Sequence, residues 1–372
     1  MELRLQTLSG THHEIGVQQG LAARESLLSV LEVMPGSNAM KRIKPSWLPT
    51  YIYLYLARRR ASNLLKKDIF EYYPKQAERL RGIAEGAGIG LSTALLLQSF
   101  ELFLGSPRFR VDACTALGFP ARRTKESEAI LVKNFDYIND LEPYQSKIEA
   151  EPTGGYKTLG CSMSFLPGML DGMNEHGLSV TYNLAYTTDK LSCFVPISIV
   201  LQEMLETCRS TDEAVKFITG AKRGGHDAIL TIVDAEGDFK SVEITSNHVA
   251  TREATDDVII NTNHFHTSEM QQYEIPHDAV SLDTGVRVHE SSERRLMRAQ
   301  ELLGGRSKVG EGDILSILRD HGEEGEPSVN TICRHGEFAS TLRSVIFHPE
   351  RKTINVLFGR PCENEYQEIG FS

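Results

Sequence analysis

The chain has no long hydrophobic segment and no obvious export signal. Its 372 residues contain no apolar run of about eighteen residues or more, the length that a membrane-spanning helix needs. The first residues also lack the basic stretch followed by an apolar stretch that is typical of a secretory signal. We therefore expect a cytoplasmic protein that does not associate with membranes.

Cysteine pairs at metal-binding spacing are absent as well. The six cysteines are widely scattered and none forms a Cys-x-x-Cys pair, which argues against a zinc ribbon and against a dense disulfide framework. We expect free thiols in a reducing compartment, no cofactor and no metal site. The six residues are Cys114, Cys161, Cys193, Cys208, Cys333 and Cys362.

Basic residues are also fewer than acidic residues. Forty Lys and Arg residues against fifty Asp and Glu residues give a net charge of -10, which argues against a general nucleic-acid binder. Hydrophobic residues make up 40% and charged residues 24%, as in ordinary soluble proteins. The length allows one large domain or two ordinary ones, with a sizeable buried core.

The first third of the chain is predicted to be mainly helical, after an opening strand over residues 2–8. Thr11 and Glu14 stand at the spacing of a capping box and begin the first helix. Residues 48–72 form an amphipathic pattern, and residues 75–104 contain two further helices. A helix lying on a membrane surface is the alternative for 48–72, which the acidic total disfavours.

After residue 114 short apolar runs recur between turn signals and indicate strands. Helices are predicted at 196–219, 291–303 and 311–319. Hairpin-linked strands with helices grouped between them favour α+β layers over a doubly wound parallel sheet. The predicted strands are 116–119, 129–133, 158–165, 178–183, 229–233, 239–244, 258–261, 343–348 and 353–358.

Cys114 lies at this change of pattern, between the small Ala113 and the hydroxyl-bearing Thr115. A thiol becomes a good nucleophile only when a base or a positive environment favours the thiolate. A cysteine at the start of a chain brings its own base, because its α-amine has an unperturbed pKa of about 7.7–8. Cys114 is therefore the candidate nucleophile; a buried small hydrophobe is the alternative.

Seven short segments in order along the chain carry a family resemblance. Ala113-Cys114-Thr115 and Thr262-Asn263-His264 are two of them, and the other five occupy residues 10–20, 82–88, 134–136, 332–334 and 359–361. Together they resemble the motifs of the acyl-coenzyme A:6-aminopenicillanic acid acyltransferase family, also called isopenicillin N acyltransferase-like. That family belongs to the N-terminal nucleophile hydrolases.

The resemblance implies an α+β fold, a four-layer αββα sandwich of two mainly antiparallel sheets with a helical N-terminal segment. It implies a precursor that cuts itself between Ala113 and Cys114 into residues 1–113 and 114–372, both parts of one domain. The mature protein would hydrolyse a linear amide C–N bond or transfer its acyl group. The expected partner is a small amide or peptide-like substrate, with an acyl donor such as acyl-CoA as a further candidate.

The resemblance also implies roles for single residues. Cys114 would be the nucleophile, and Asp136 would hold its freed amine by a charge-assisted hydrogen bond. Asn263 would donate its side-chain amide to the oxyanion, with Asn183 as a second oxyanion or substrate contact. Arg334 would place a cation near the nucleophile, where it favours a thiolate or a substrate carboxylate.

Tyr137, Tyr182 and His264 are predicted to contact the substrate, and two other functions stay open. In one, Cys114 of an uncut chain uses His264 as a separate base. In the other, the protein binds amides or peptides without catalysis. His264 and His266 also share one face of a strand, the spacing of a metal site, but no acidic or cysteine ligand lies nearby in sequence.

Ala113 departs from the family pattern, which usually has glycine before the nucleophile. Self-cleavage strains the backbone at this bond, and glycine adopts strained φ/ψ values that alanine resists. We therefore expect self-processing to be slow or absent.

Overall fold

The structure, a computed structural model, describes residues 3–103, 114–224, 227–255, 257–281 and 285–372. These residues form fourteen strands and twelve α-helices. The strands are β1 Leu5–Gly10, β2 Thr115–Phe119, β3 Ile130–Ile138, β4 Gln145–Pro152, β5 Thr158–Met163, β6 Asp171–Asn174, β7 Ser179–Ala185, β8 Asp227–Val233, β9 Phe239–Ile244, β10 Val249–Arg252, β11 Ile259–Asn261, β12 Ala339–His348, β13 Thr353–Phe358 and β14 Gln367–Gly370. The helices are α1 His12–Ala22, α2 Arg24–Val33, α3 Asn38–Ile43, α4 Thr50–Tyr72, α5 Pro74–Ala87, α6 Leu91–Gln98, α7 Phe100–Phe103, α8 Ile197–Thr207, α9 Thr211–Gly220, α10 Ser268–Gln271, α11 Glu290–Leu303 and α12 Glu311–Leu318.

Two β-sheets pack face to face at the centre. The larger has eight strands in the order β1-β4-β5-β6-β7-β8-β9-β10, and the smaller has six in the order β11-β2-β3-β12-β13-β14. Neighbouring strands are antiparallel except for β1 and β4, which run parallel. Strands β2, β3 and β11 contact strands of the larger sheet. The prediction of two mainly antiparallel sheets is confirmed.

Helices cover the outer face of each sheet. The larger sheet packs residues such as Val180 and Leu230 against the N-terminal helices together with α8 and α9. The smaller sheet packs Leu117 and Val132 against α11 and α12. A third apolar cluster, which includes Leu131, lies between the sheets. The four layers are those of the predicted αββα sandwich.

Strand β3 divides the residues of the candidate site between two faces. Side chains alternate along a strand, so Leu131 and Lys133 point between the sheets, whereas Val132 and Asp136 point towards α11 and α12. Every residue of the strand is buried. The strand predicted over residues 129–133 stops short of Asp136, whereas in the structure Asp136 lies inside β3.

The N-terminal segment is joined to the rest of the fold in two ways. Strand β1 adds to the edge of the larger sheet beside β4. Helices α1 and α5 touch through their backbones: a Cβ on Gly16 would lie 2.1 Å from the Arg79 carbonyl oxygen, and one on Gly82 would lie 2.2 Å from that of His13. Both glycines belong to motifs that carry the family resemblance. The close packing of the two helices requires a residue without a Cβ atom at each of these positions.

No single helix among the described residues is long and apolar enough to span a membrane. One bent pair, Pro74–Ala87 followed by Leu91–Leu102 at an angle of 116°, meets the length and composition requirement together.

Candidate active site

Cys114 is the first described residue after the gap at 104–113, and it directly precedes strand β2. Its side chain is buried, and its Sγ lies 3.8 Å from the Asp136 carbonyl oxygen. Burial raises the pKa of the Cys114 thiol, while the Lys133 ammonium acts in the opposite direction. The thiol of the uncut chain is therefore held in its protonated, weakly nucleophilic form. Ala113, the other residue of the predicted cleavage site, lies outside the described residues.

The Cys114 carbonyl group is held by two side chains. Asn183 Nδ2 donates to this oxygen at 3.2 Å, and Arg295 donates to it at 2.6 Å. The Asn183 amide also donates to the carbonyl oxygens of Asn261 and Thr262, at 3.0 and 2.9 Å. Asn183, predicted to contact the oxyanion or the substrate, thus fixes the Cys114 backbone beside the end of β11.

Asp136 has one satisfied carboxylate oxygen and one without a partner. Its Oδ1 accepts a hydrogen bond of 2.6 Å from Thr341 Oγ1, whereas its buried Oδ2 has no partner among the described residues. Burial raises the pKa of Asp136 to about 7, despite the opposing charges of Arg295 and Arg334. A buried acceptor without a donor is costly, so a cation placed at Oδ2 would be stabilised and would lower this pKa.

A β-bulge in β12 sends neighbouring residues to opposite sides of the smaller sheet. The register with β3 shifts between Thr341, which pairs with Asp136, and Arg343, which pairs with Phe135. Such a bulge inserts one residue and re-aims the side chains on either side of it. Thr341 thereby reaches Asp136, while Arg343 reaches the space between the sheets.

Arg334 lies beside Asp136, on the segment that leads into β12. Its backbone N–H donates to Thr341 Oγ1 at 2.9 Å, and its carbonyl oxygen accepts from the Thr341 N–H at 3.1 Å. Its guanidinium acts against the burial-driven rise in the pKa of Asp136. The predicted cation is therefore close to the carboxylate that would hold the freed amine.

Asn263 is fixed from three directions. Its backbone N–H donates to Ser292 Oγ at 2.7 Å, its Oδ1 accepts from Arg295 at 2.8 Å, and its Nδ2 donates to the Leu184 carbonyl oxygen at 2.8 Å. An amide nitrogen carries two N–H groups, and among the described residues only the Leu184 oxygen accepts from this one. The second N–H has no acceptor among these residues, and oxyanion binding stays the role predicted for it.

Arg295 is a site residue that the sequence analysis missed. It is fully buried on α11 and donates to the Cys114 carbonyl oxygen, to Thr115 Oγ1 at 2.9 Å and to Asn263 Oδ1. Its planar fork thus connects the predicted nucleophile to the predicted oxyanion donor. A signal was present: Arg295 occupies the buried face of α11 with Ser291, Ala299 and Leu303, at the i, i+4 spacing of a core stripe.

A second missed feature is an ionic cluster between the sheets. Lys133 Nζ lies 2.7 Å from Asp171 Oδ1 and also donates to the Tyr182 carbonyl oxygen. Arg343 binds the other carboxylate oxygen of Asp171, and all three charged side chains are fully buried. Within this cluster the Lys133 charge lowers the pKa of Cys114 and the Asp171 charge raises it, and burial keeps this pKa above its ordinary value.

The predicted substrate contacts divide into two groups. Tyr137 and Tyr182 are buried close to Cys114, and burial, followed by nearby negative groups that include Cys114, raises the pKa of each hydroxyl. His264 instead lies 2.7 Å from Ser292 Oγ and lines a cavity of about 510 Å³. Burial lowers the pKa of His264 to about 4. Among the described contacts, none joins His264 to the Cys114 sulfur.

A known protein family matches the part of the chain that contains most of these site residues. The model of the family described as acyl-coenzyme A:6-aminopenicillanic acid acyl-transferase matches residues 122–363, well over half of the 372 residues. The chain belongs to this family. The matched region contains Asp136, Asn183, Asn263 and Arg334, and it begins eight residues after Cys114. The family predicted from the seven motifs is confirmed.

Individual relatives of this acyl-transferase family member are distant. Protein dcd1A of Dictyostelium discoideum is 24% identical over 267 residues, which cover 65% of this chain and 58% of that protein. The chain therefore spans less than two thirds of that curated relative. Among solved structures, an N-acylethanolamine-hydrolyzing acid amidase ortholog of Caenorhabditis elegans is 15% identical with a TM-score of 0.45, covering 64% of this chain and 93% of that one. A penicillin V acylase from Agrobacterium tumefaciens is 14% identical with a TM-score of 0.38, covering 66% and 83%.

Proposed function

We propose that the protein is a self-processing cysteine amidohydrolase or acyltransferase whose mature nucleophile is Cys114 at a new chain start. Membership of the acyl-transferase family supports an amide hydrolase or acyltransferase of the N-terminal nucleophile type. The observation that carries the finer proposal is the unpartnered Asp136 Oδ2, buried beside Cys114. A freed Cys114 ammonium would supply the missing donor and the missing positive charge.

Self-processing would begin with attack of Cys114 Sγ on the carbonyl carbon of Ala113. The C–N bond between the two residues breaks as the C–S bond forms, and the proton lost by sulfur passes to the new amine. Water then hydrolyses the thioester, which releases the Ala113 carboxylate and restores the thiol. Arg295 and Asn183 hold the Cys114 carbonyl group throughout. Cys114 therefore stays in position while its peptide bond to Ala113 is broken.

Turnover of a substrate would follow the same chemistry. The Cys114 amine removes the thiol proton, and the thiolate attacks the amide carbon. The remaining Asn263 N–H would stabilise the oxyanion, and the Cys114 ammonium would protonate the departing amine. Water, or an acceptor amine in the transferase case, then resolves the thioester. Aromatic side chains near the sulfur, Phe135, Tyr137 and Tyr182, favour an apolar acyl group on the substrate.

Self-processing is tested by a denaturing gel and N-terminal sequencing of the purified protein. We expect pieces of 113 and 259 residues, the second beginning at Cys114. The Ala113→Gly variant should be cut faster, because glycine relieves the backbone strain of the scissile bond. Ala121→Gly, on a nearby turn, is the matched control and should leave the rate unchanged. A fully active protein with an unbroken chain at this bond would exclude the mechanism.

The oxyanion role of Asn263 is tested by Asn263→Ala with a chromogenic acyl anilide. Loss of one oxyanion donor costs about 2.7–4 kcal/mol in the barrier, which corresponds to a fall in kcat of roughly 10²–10³-fold. Asn247→Ala removes an amide from an exposed contact with Asp189 and is the control. Equal rates for Asn263→Ala and the unaltered protein, with both fully processed, would remove Asn263 from the catalytic set.

A further inference from the structure

Four potential metal ligands converge beside the segment that carries Arg334. His321 follows α12, Cys333 and His335 precede β12, and Cys362 follows β13. One donor atom from each of these four side chains lies within 4.8 Å of the other three. The residues come from three separate segments, so the cluster is a product of the tertiary fold. We call it the Cys2His2 cluster.

Three of the distances within the Cys2His2 cluster match the edges of a tetrahedral site. Cys333 Sγ lies 3.5 Å from Cys362 Sγ and 3.5 Å from His335 Nε2, and Cys362 Sγ lies 3.3 Å from His335 Nε2. Zinc binds sulfur at about 2.3 Å and imidazole nitrogen at about 2.0 Å, so the edges of its tetrahedron measure roughly 3.3–3.8 Å. The donors of Cys333, His335 and Cys362 are thus already spaced to hold one ion, and the His321 donor lies within 4.8 Å of each of them.

His321 provides a second, independent observation. Its Nε2 is buried and has no hydrogen-bond partner among the described residues, while its ring lies edge-on to that of His335 with centroids 5.0 Å apart. A buried imidazole nitrogen without a partner carries a desolvation cost. Coordination of a cation by this nitrogen would remove that cost.

A disulfide is the competing use of the two thiols. A disulfide requires a sulfur–sulfur distance of about 2.05 Å, whereas Cys333 and Cys362 are both free thiols with sulfurs 3.5 Å apart. A disulfide would also not explain why His321 and His335 lie beside the two sulfur atoms. Two thiolates with two imidazoles suit zinc, and four protein ligands make the closed coordination of a structural site.

We propose that His321, Cys333, His335 and Cys362 bind one zinc ion in a structural site. Cys362 is exposed, which gives the ion a path from solvent. Binding displaces the two thiol protons, since zinc takes thiolate ligands. The site ties the segment after α12 and the segment after β13 to the segment that enters β12.

The proposed zinc site also positions the candidate active site. Cys333 is followed by Arg334, whose backbone is paired with Thr341, and Thr341 holds Asp136. Asn134 Nδ2 reaches the Ile332 carbonyl oxygen, at 3.0 Å. Fixing Cys333 would therefore restrain Arg334 and Thr341, the two residues that contact or lie beside Asp136. The ion itself would lie outside the catalytic chemistry, so zinc binding can be tested without any activity assay.

The test is the metal content of protein purified without chelators or a histidine tag, measured by plasma mass spectrometry. We expect about one zinc per chain, and less than about a tenth of that in the double variant Cys333→Ser with Cys362→Ser. The double variant Cys193→Ser with Cys208→Ser removes the same number of thiols elsewhere and should keep its zinc. Cobalt(II) chloride added to metal-free protein should produce the visible bands and the thiolate charge-transfer bands of a tetrahedral site.

Because the double variant could unfold, Cys362→Ser at the surface serves as a milder variant, with circular dichroism to check its fold. It should fold, lose the cobalt charge-transfer intensity by about half, and bind zinc more weakly. Two outcomes would overturn the proposal. One is folded protein that takes up neither zinc nor cobalt; the other is a Cys333–Cys362 disulfide found by peptide mass spectrometry in freshly purified protein.

Discussion

Replacing Cys114 with alanine is expected to lower kcat/KM for amide hydrolysis by about 10⁴-fold or more, because loss of a covalent nucleophile leaves only binding and oxyanion stabilisation. The same change should leave the chain in one piece, since in the proposed mechanism the thiol also attacks the carbonyl carbon of Ala113. A gel of freshly purified protein and a continuous acyl-anilide assay measure both effects on one preparation.

Cys161→Ala is the control for this change. Cys161 is a buried thiol between the sheets, and its removal should lower stability without lowering kcat/KM of the folded protein. Cys114→Ser separates the two roles of the thiol, because a hydroxyl is a weaker nucleophile: we expect slow processing and weak activity. Normal activity in Cys114→Ala would end the assignment of the nucleophile.

Replacing Asp171 with asparagine is expected to lower the free energy of unfolding by about 3–5 kcal/mol, because it leaves two buried cations without a counter-charge. Lys133 and Arg343 both bind this carboxylate between the sheets. The variant should also show faster alkylation of Cys114 at neutral pH, since the Asp171 charge opposes the thiolate. Urea unfolding and timed alkylation with mass spectrometry measure the two effects.

Asp257→Asn provides the matched comparison. Asp257 forms an exposed ion pair with Arg122, and such pairs contribute no more than about 1 kcal/mol. A fall in stability as small for Asp171→Asn as for Asp257→Asn would show that the buried cluster is not a net source of stability. Slower alkylation of Cys114 in the Asp171 variant would contradict the electrostatic role of the cluster.

Elements with a strong apolar pattern were predicted well from the sequence. The run 239–244 is strand β9, Phe239–Ile244, and residues 48–72 contain α4, Thr50–Tyr72. Strand β4, Gln145–Pro152, was missed because Lys147 and Glu149 make it look exposed. Both side chains are buried through partners more than two hundred residues away, Gln367 and Ser372, and no local pattern contains such partners. Strands β6, β10 and β14 and helices α2, α3 and α10 were missed as well.

The candidate site was only partly predictable, for a related reason. Short motifs point to Cys114, Asp136 and Asn263, which the structure brings together around Arg295. Arg295 itself carries no motif, and its importance follows from its burial and from the three groups it contacts. The Cys2His2 cluster is the clearest case: the absence of any Cys-x-x-Cys pair predicted no metal site, but tertiary folding brings together potential ligands from distant segments.

The contacts of residues 3–103 with the rest of the fold determine whether the two pieces would stay together after a cut before Cys114. Strand β1 is hydrogen-bonded along its length to β4, and buried His12 on α1 pairs with Glu206 on α8. Within the segment, α1 and α5 are in close backbone contact. None of these contacts depends on the peptide bond before Cys114. Two polypeptides would therefore sediment as a single particle of unchanged mass. Only denaturation would separate them, and the severed N-terminal portion would act as a permanent subunit instead of a discarded leader.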